Sequence, residues 1–229
     1  MLNLIHISDP HNESRTVERV VRLAKAHPKW DVIAMTGDCT SGYQMHVDER
    51  FNTLPQKHLF SVPGNHDIRD NAYLLLNRWV TECPWVAAVN GAWFLGLDSR
   101  KSVHKNAVVD ILSRFRSNGH VLPSLFVIMM HHPPEKLGKI IPDILTSIFT
   151  VHRHHPRVLI LNGHEHPKNF SRQWTKAKNI GCDWNVSISQ ICSSQGEHGG
   201  AHFITWDGQL FRKEYRYMDQ KGCIITMKN

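Results

Sequence analysis

His58-Leu59-Phe60-Ser61-Val62-Pro63-Gly64-Asn65-His66-Asp67 joins a mostly apolar run of strand length to a glycine turn loaded with polar side chains. The run is too short for a helix and is cut off at Pro63-Gly64, so His58 to Val62 reads as a buried strand with Asn65, His66 and Asp67 just past its end. The same arrangement recurs on either side. Leu2 to Ser8 runs into Asp9-Pro10-His11-Asn12, and Asp31 to Thr36 runs into Gly37-Asp38. Leu125 to Met130 ends at His131-His132-Pro133-Pro134, and Arg157 to Leu161 ends at Gly163-His164-Glu165-His166.

Between these strands the period of the apolar residues changes. Val17, Val20, Val21 and Ala24 follow the i, i+3, i+4, i+7 spacing of one helix face, with Glu18 and Arg22 placed to pair on the wet side. Val108, Ile111, Leu112 and Phe115 mark a second helix, and Ile144, Leu145, Ile148 and His152 a third; Ala72 to Glu82 reads as a further one. Trp85 to Val89 and Trp93 to Leu97 form a hairpin across Asn90-Gly91. Toward the C-terminus, Trp184 to Ile191, Ala201 to Trp206 and Gln209 to Tyr217, with turns at Gly199-Gly200 and Asp207-Gly208, predict an antiparallel sheet. Strands alternating with helices define an α/β class. With neither repeat nor linker in the sequence, residues 1–229 are expected to form a single domain.

Five strand ends therefore carry Asp-x-His, Gly-Asp, Gly-Asn-His-Asp, His-His-Pro-Pro and Gly-His-x-His, in that order. In α/β sheets ligands bind beyond the carboxyl ends of strands, which is where these polar residues collect. Asp9 and His11 stand two apart in extended chain and can face one side; His164 and His166 repeat that spacing. Imidazole, carboxylate and amide together suit a hard or borderline transition metal such as Mn, Fe, Zn or Co. Taken singly, Asp38 and Asn65 also read as ordinary turn residues beside glycine. A glycine before Asp38, Asn65 and His164 lets the backbone turn where a side chain would crowd the ions.

The ordered series resembles the calcineurin-like metallophosphoesterase superfamily over residues 9 to 166. The resemblance implies a four-layer α-β-β-α sandwich of two mixed sheets, with two divalent or trivalent metal ions where the strand C-terminal ends converge. It implies Asp9, His11 and His166 as ligands of one metal, Asn65, His131 and His164 as ligands of the other, and Asp38 as the bridging carboxylate. His131 is preferred to His132 because it follows the strand directly and matches the family's ligand. Two cations roughly 3.5 to 4 Å apart clamp phosphoryl oxygens and lower the pKa of a shared water toward neutrality. His66 resembles the family's histidine that protonates the leaving group or binds the phosphate, and Asp67 is expected to fix its tautomer.

Composition narrows the setting. The chain has 229 residues, 41% hydrophobic and 21% charged, which excludes a disordered chain, a collagen-like fibre or a coiled coil. Seventeen histidines exceed what such a domain needs, and the ligand assignment accounts for only part of them. A net charge of +7 favours anionic partners. Five scattered cysteines with no Cys-x-x-Cys pair argue for a reducing compartment and against a zinc ribbon. Met1 to Ser8 has no basic n-region and no long apolar h-region, and no apolar stretch reaches about 18 residues, so a cytoplasmic protein without a secretory signal or membrane span is expected.

Outside the motifs the plain readings are preferred. His152, His154 and His155 with Arg153 are read as a solvated helix end, and His198 and His202 as flanks of a hairpin. Arg100 is read as a surface charge, Cys39 as a small packed thiol, and Trp174 and Trp184 as rim or packing residues.

The family's protein phosphatases carry Gly-Asp-x-x-Asp-Arg-Gly and Gly-Asn-His-Glu, whereas Gly37-Asp38-Cys39-Thr40-Ser41-Gly42 lacks the arginine. Gly-Asn-His-Asp with His-His-Pro-Pro is more similar to the small bacterial phosphodiesterases, including the class III cyclic-nucleotide enzymes. The expected partner is thus a small anionic phosphoester; nucleic acid is not favoured, and a fairly open site is expected. A phosphomonoesterase or nuclease is the catalytic alternative, and a non-catalytic metal-binding interaction scaffold the alternative of another class.

Overall fold

The computed structural model describes residues 1–41, 47–67, 79, 82–149, 155–165, 174–176, 186–191, 193, 200–219, 221 and 223–228. Twelve strands among them form two six-stranded sheets. The first sheet contains β1 (Leu2–Ile7), β2 (Val32–Met35), β3 (His58–Ser61), β10 (Gly200–Trp206), β11 (Phe211–Met218) and β12 (Ile224–Lys228), in the order β12-β11-β10-β1-β2-β3. The second contains β4 (Trp85–Val89), β5 (Ala92–Gly96), β6 (Leu125–Met129), β7 (Arg157–Asn162), β8 (Trp174–Lys176) and β9 (Val186–Gln190), in the order β4-β5-β6-β7-β9-β8. Both are mixed: β1, β2 and β3 run parallel, as do β5, β6, β7 and β9, and the outer strands are antiparallel.

Three separate apolar layers make the sandwich. Val17, Val20 and Leu23 of α1 (Ser14–Lys25) pack on Ile5, Ile7, Ile33 and Phe203, the outer face of the first sheet. Leu4, Val32, Ala34 and Ile204 meet Phe94, Val127, Met129 and Leu159 between the sheets. Val108 and Leu112 of α2 (Lys105–Ser117) and Ile141, Ile144 and Leu145 of α3 (Ile140–Phe149) cover Trp93, Phe126, Ile128 and Val158 on the outer face of the second. The four layers are therefore helix, sheet, sheet, helices, because each sheet presents apolar side chains on both faces and each must be covered. Cys39 is packed as expected, in the layer under α1.

Pairing differs from the sequence expectation in the last third. Val186 to Gln190 does not join an antiparallel sheet with the following strands; it runs parallel to β7 in the second sheet, Val158 opposite Val186. Its alternation explains the choice: Val186 and Ile188 fill the layer under α2 and α3, which turns Ser187 and Ser189 to the other face. The antiparallel run β10, β11 and β12 extends the first sheet beside β1, Leu4 opposite Ile204. His202 is accordingly not a turn residue but lies fully buried inside β10. Strands β8 and β12 had no counterpart in the sequence reading. The expected helix at Ala72 to Glu82 falls almost wholly outside the described residues, as do His152, His154, Trp184 and His198. Among the described residues no helix is long and apolar enough to cross a membrane.

Candidate metal centre

The parallel strands of both sheets deliver their polar ends to one place. Backbone bonds stitch the loops together: Asp9 N donates to Gly37 O (2.9 Å), His11 N to Asp38 O (2.9 Å) and Gly163 N to His131 O (3.0 Å). Asp9, His11, Asp38 and His164 have φ of 55°, 49°, 50° and 69°, a left-handed conformation that non-glycine residues rarely adopt. Such backbone persists only where surrounding contacts impose it, and it concentrates at functional sites. Glycine is required here for close approach between loops. A Cβ on Gly64 would collide with the backbone and carboxylate of Asp38, and one on Gly163 with Ser8 and the Asp9 carboxylate. The crowding that these glycines relieve is thus between neighbouring ligand-bearing loops.

Two sets of side chains come close enough to share an ion: Asp9, His11 and Asp38, and Asp38, His131 and His164, with ligand atoms inside each set within 4.8 Å of one another. Asp38 belongs to both. Asn65 joins the second set, its Oδ1 lying 2.9 Å from His131 Nε2 and 2.8 Å from His164 Nδ1. His131 Nε2 also lies 3.2 Å from Asp38 Oδ2 and 3.3 Å from His164 Nδ1. His131 Nδ1 donates to Thr36 O at 2.8 Å, and His11 Nδ1 to Thr40 O at 3.2 Å, which leaves each Nε2 lone pair facing the site. His166 lies outside the described residues.

The donor set fits a cation. A carboxylate, an amide oxygen and two imidazole nitrogens converge at 2.8 to 3.3 Å, the mix of hard and borderline donors that a transition metal takes. The protein's own charges already register this. Burial alone would raise the Asp38 pKa, but the bond and charge of His131, the amide of His66 and His11 outweigh it and hold the carboxyl low. Burial alone would lower His131, yet Asp38 and then Asp9 raise it. His164 is lowered by burial, His131 and Lys136.

Around this set the structure redistributes several roles. Asp67 was expected to hold the His66 ring. Its fully buried carboxylate accepts from Gly64 N (2.8 Å) and Thr40 N (3.0 Å), tying the Asn65 turn to the Asp38 loop, and Thr40 Oγ1 donates to His66 O at 3.0 Å. Arg100, read from sequence as a surface charge, is largely buried. It forks onto Asp98 (2.9 Å for both bonds) and donates to Asp67 O at 2.5 Å. Asn65 and His66 are exposed, and the His66 ring stands edge-on to His11 with centroids 5.1 Å apart.

Sequence reasoning set His132 second to His131 and passed over Lys136. His132 is nearly buried, its ring 4.4 Å from that of His164 and its Nδ1 3.0 Å from Ser99 Oγ. That hydroxyl accepts the amides of His131 and His132 and so donates to the ring. Burial first, then His131, Lys136 and His164, push the His132 pKa down to about 4. Lys136 Nζ lies 3.3 Å from His164 Nε2. The His-His doublet itself was the available signal for His132.

Residues 2–168 match the model of the calcineurin-like phosphoesterase family, and the chain belongs to that family. Its chemistry is metal-dependent phosphoester hydrolysis, with two transition-metal ions as the usual complement. No curated protein matches the chain. Among solved structures it is similar to an archaeal phosphodiesterase (9% identity, 93% of this chain and 99% of that one, TM-score 0.48). It is also similar to a phosphoesterase-like protein of Streptococcus pneumoniae (11%, 100% and 98%, TM-score 0.49) and to Vps29 of Chaetomium thermophilum (8%, 100% and 97%, TM-score 0.48).

Proposed function

We propose that the protein hydrolyses phosphodiesters of small or nucleotide-like substrates at a dinuclear centre held by Asp9, His11, Asp38, Asn65, His131, His164 and His166. The observation that carries the reading is the sharing of Asp38 between two ligand sets. Two bound cations supply charge that neutralises a phosphoryl group and acidifies a water between them. The chain's own residues do the rest. Asp38 and the neutral imidazoles provide lone pairs, while Thr36 O and Thr40 O hold the His131 and His11 rings in the tautomer that exposes Nε2. Asn65 and His66 stand exposed at the mouth, where His66 meets the leaving group. As water adds to phosphorus and the P–O ester bond breaks, the departing oxygen takes a proton from the His66 ring, giving an alcohol and a phosphomonoester. Asp67 and Arg100 keep the turn bearing Asn65 and His66 in place.

The preference for diesters rests on Gly64-Asn65-His66-Asp67 with His131-His132-Pro133-Pro134 and on the absent phosphatase arginine. The test is a side-by-side assay of bis-nitrophenyl phosphate, nitrophenyl phosphate, cyclic AMP and single-stranded DNA, with Mn²⁺ and after chelation. Diester hydrolysis abolished by chelation and restored by Mn²⁺ is expected. Faster turnover of nitrophenyl phosphate makes the protein a monoesterase, and cleavage of DNA alone a nuclease. Protein that holds Mn²⁺ and turns over none of the four overturns catalysis and leaves the scaffold.

A further inference from the structure

The layer between the sheets changes character toward the centre. Along β1 the inward residues are Leu2, Leu4 and then His6; along β2, Val32 and Ala34 lead to Thr36; along β10, Trp206 and Ile204 lead to His202. His6, Thr36, Ser189 and His202 are all fully buried. Ser189 Oγ, from β9 of the second sheet, lies 3.1 Å from His6 Nδ1 and 2.8 Å from His202 Nδ1, both from the first sheet. His6 Nε2 lies 2.9 Å from Thr36 Oγ1, two residues before Asp38.

A single hydroxyl between two ring nitrogens accepts from one and donates to the other. With both rings neutral the chain His202, Ser189, His6, Thr36 is satisfied head to tail in either direction. Burial first and then Lys213 on the neighbouring β11 keep both rings neutral, His6 pushed down to about 3 and His202 also well below its usual value.

The metal ligands are divided between the sheets. Asp9, His11, Asp38 and Asn65 follow strands of the first; His131 and His164 follow strands of the second. Their spacing therefore depends on how the sheets sit against each other. Apolar contacts such as Leu4, Val127 and Leu159 are non-directional and tolerate small slips. Hydrogen bonds weaken within a few tenths of an ångström, and metal ligands need positions good to about 0.5 Å.

We propose that Ser189, clasped by His6 and His202, is a positioning residue for the metal centre: it fixes the register of the two sheets and so the separation of the two ligand sets. The proposal rests on the metal-binding reading above, and the experiment separates the two. Metal-free protein is titrated with Mn²⁺ by calorimetry, and spin-coupled Mn²⁺ pairs are read by low-temperature electron paramagnetic resonance. Wild type, Ser189→Ala and Val127→Ala are compared, the last lowering stability through the same inter-sheet layer without touching the clasp.

Ser189→Ala is expected to weaken Mn²⁺ binding about ten-fold and to reduce the coupled-pair signal, the range seen when supports of ligands are removed. Val127→Ala is expected to lower the melting temperature and bind as wild type does. Where Ser189→Ala does not fold, His202→Phe removes one bond of the clasp, keeps the ring volume and reads the same quantity. Binding unchanged by either clasp variant, or weakened equally by Val127→Ala, overturns the positioning role alone. Wild type that takes up no Mn²⁺ overturns the metal reading and the positioning role with it.

Discussion

Two groups of histidines in this protein are chemically opposite. His11, His131 and His164 stand on loops past the strand ends, two of them on left-handed backbone, with Asp9 and Asp38 close by. His6 and His202 lie inside strands, between the sheets, with serine and threonine hydroxyls as partners and the charge of Lys213 acting on both. The surroundings decide the proton. Carboxylates outweigh burial and raise His131, whereas burial and a cation lower His6 to about 3. One residue type thus stands in a candidate ligand set where anions converge and serves as a neutral linking group where hydroxyls do.

The sharpest way to break this contrast is at Asp38, which only the first group uses. Asp38→Asn removes the carboxylate shared by both ligand sets and is expected to cut kcat/KM on bis-nitrophenyl phosphate at least about a thousand-fold, roughly 4 kcal/mol. Metal content measured on the same preparation should fall for both ions, while circular dichroism and the interior clasp stay as in wild type. Near-wild-type turnover would refute the shared-ligand assignment.

Acid sharpens the contrast next. The unfolded chain protonates His6 and His202 below about pH 6.5, but the folded protein holds His6 neutral down to about 3. The unfolded state then binds more protons, so the clasp's contribution is fully present above pH 6.5 and is lost as pH falls, by about 1.4 kcal/mol per unit for each histidine. Lys213, lowered by burial to about 7, acts likewise at higher pH: its contribution is lost between about 10.5 and 7 and is constant below. His131 has the opposite sign. Raised in the folded state, its contribution is fully present below pH 6.5 and fades as pH rises through its folded pKa. Urea unfolding of metal-free protein between pH 6.5 and 5 should therefore show a steep loss, and His202→Phe should reduce that slope by one histidine's share. An unchanged slope would mean that His202 is not held neutral.

These groups were not equally legible in the sequence. Each strand-end motif is local: an apolar run and a ligand type within about ten residues, with a glycine in three of the five, so the α/β class and the convergence of Asp9, Asp38, Asn65, His131 and His164 could be anticipated. The clasp is not local. Ser189 meets His6 across 183 positions, and no periodicity states that β9 pairs with β7 instead of β10. A partial signal existed, since His6 shares parity with Leu2 and Leu4, and Thr36 with Val32 and Ala34, so both had to face the inner layer once the strands were assigned. Strand β12 was missed because its side chains from Ile224 to Met227 are exposed and carry little of a core pattern. Arg100 was misjudged because a charged residue's partner is set by loop approach, which residue type does not reveal.

Arg100 gives the smallest expected effect and probes the border of the strand-end group. Its guanidinium holds Asp98 through two bonds and reaches Asp67 O, so it buttresses the turn carrying Asn65 and His66. The pair is only 16% and 15% exposed, and burial, which would raise the Asp98 pKa, is outweighed by Arg100, which keeps that carboxyl low. A lysine has the charge but not the planar fork, and it cannot serve Asp98 bidentately while also donating to the carbonyl. Arg100→Lys should therefore lower kcat/KM by roughly three- to ten-fold, near 1 kcal/mol, with metal content unchanged. Loss of metal with the activity would place Arg100 among the supports of the ligands themselves, and no loss at all would mean that the Asp67 carboxylate alone, through Gly64 and Thr40, is enough to hold the turn.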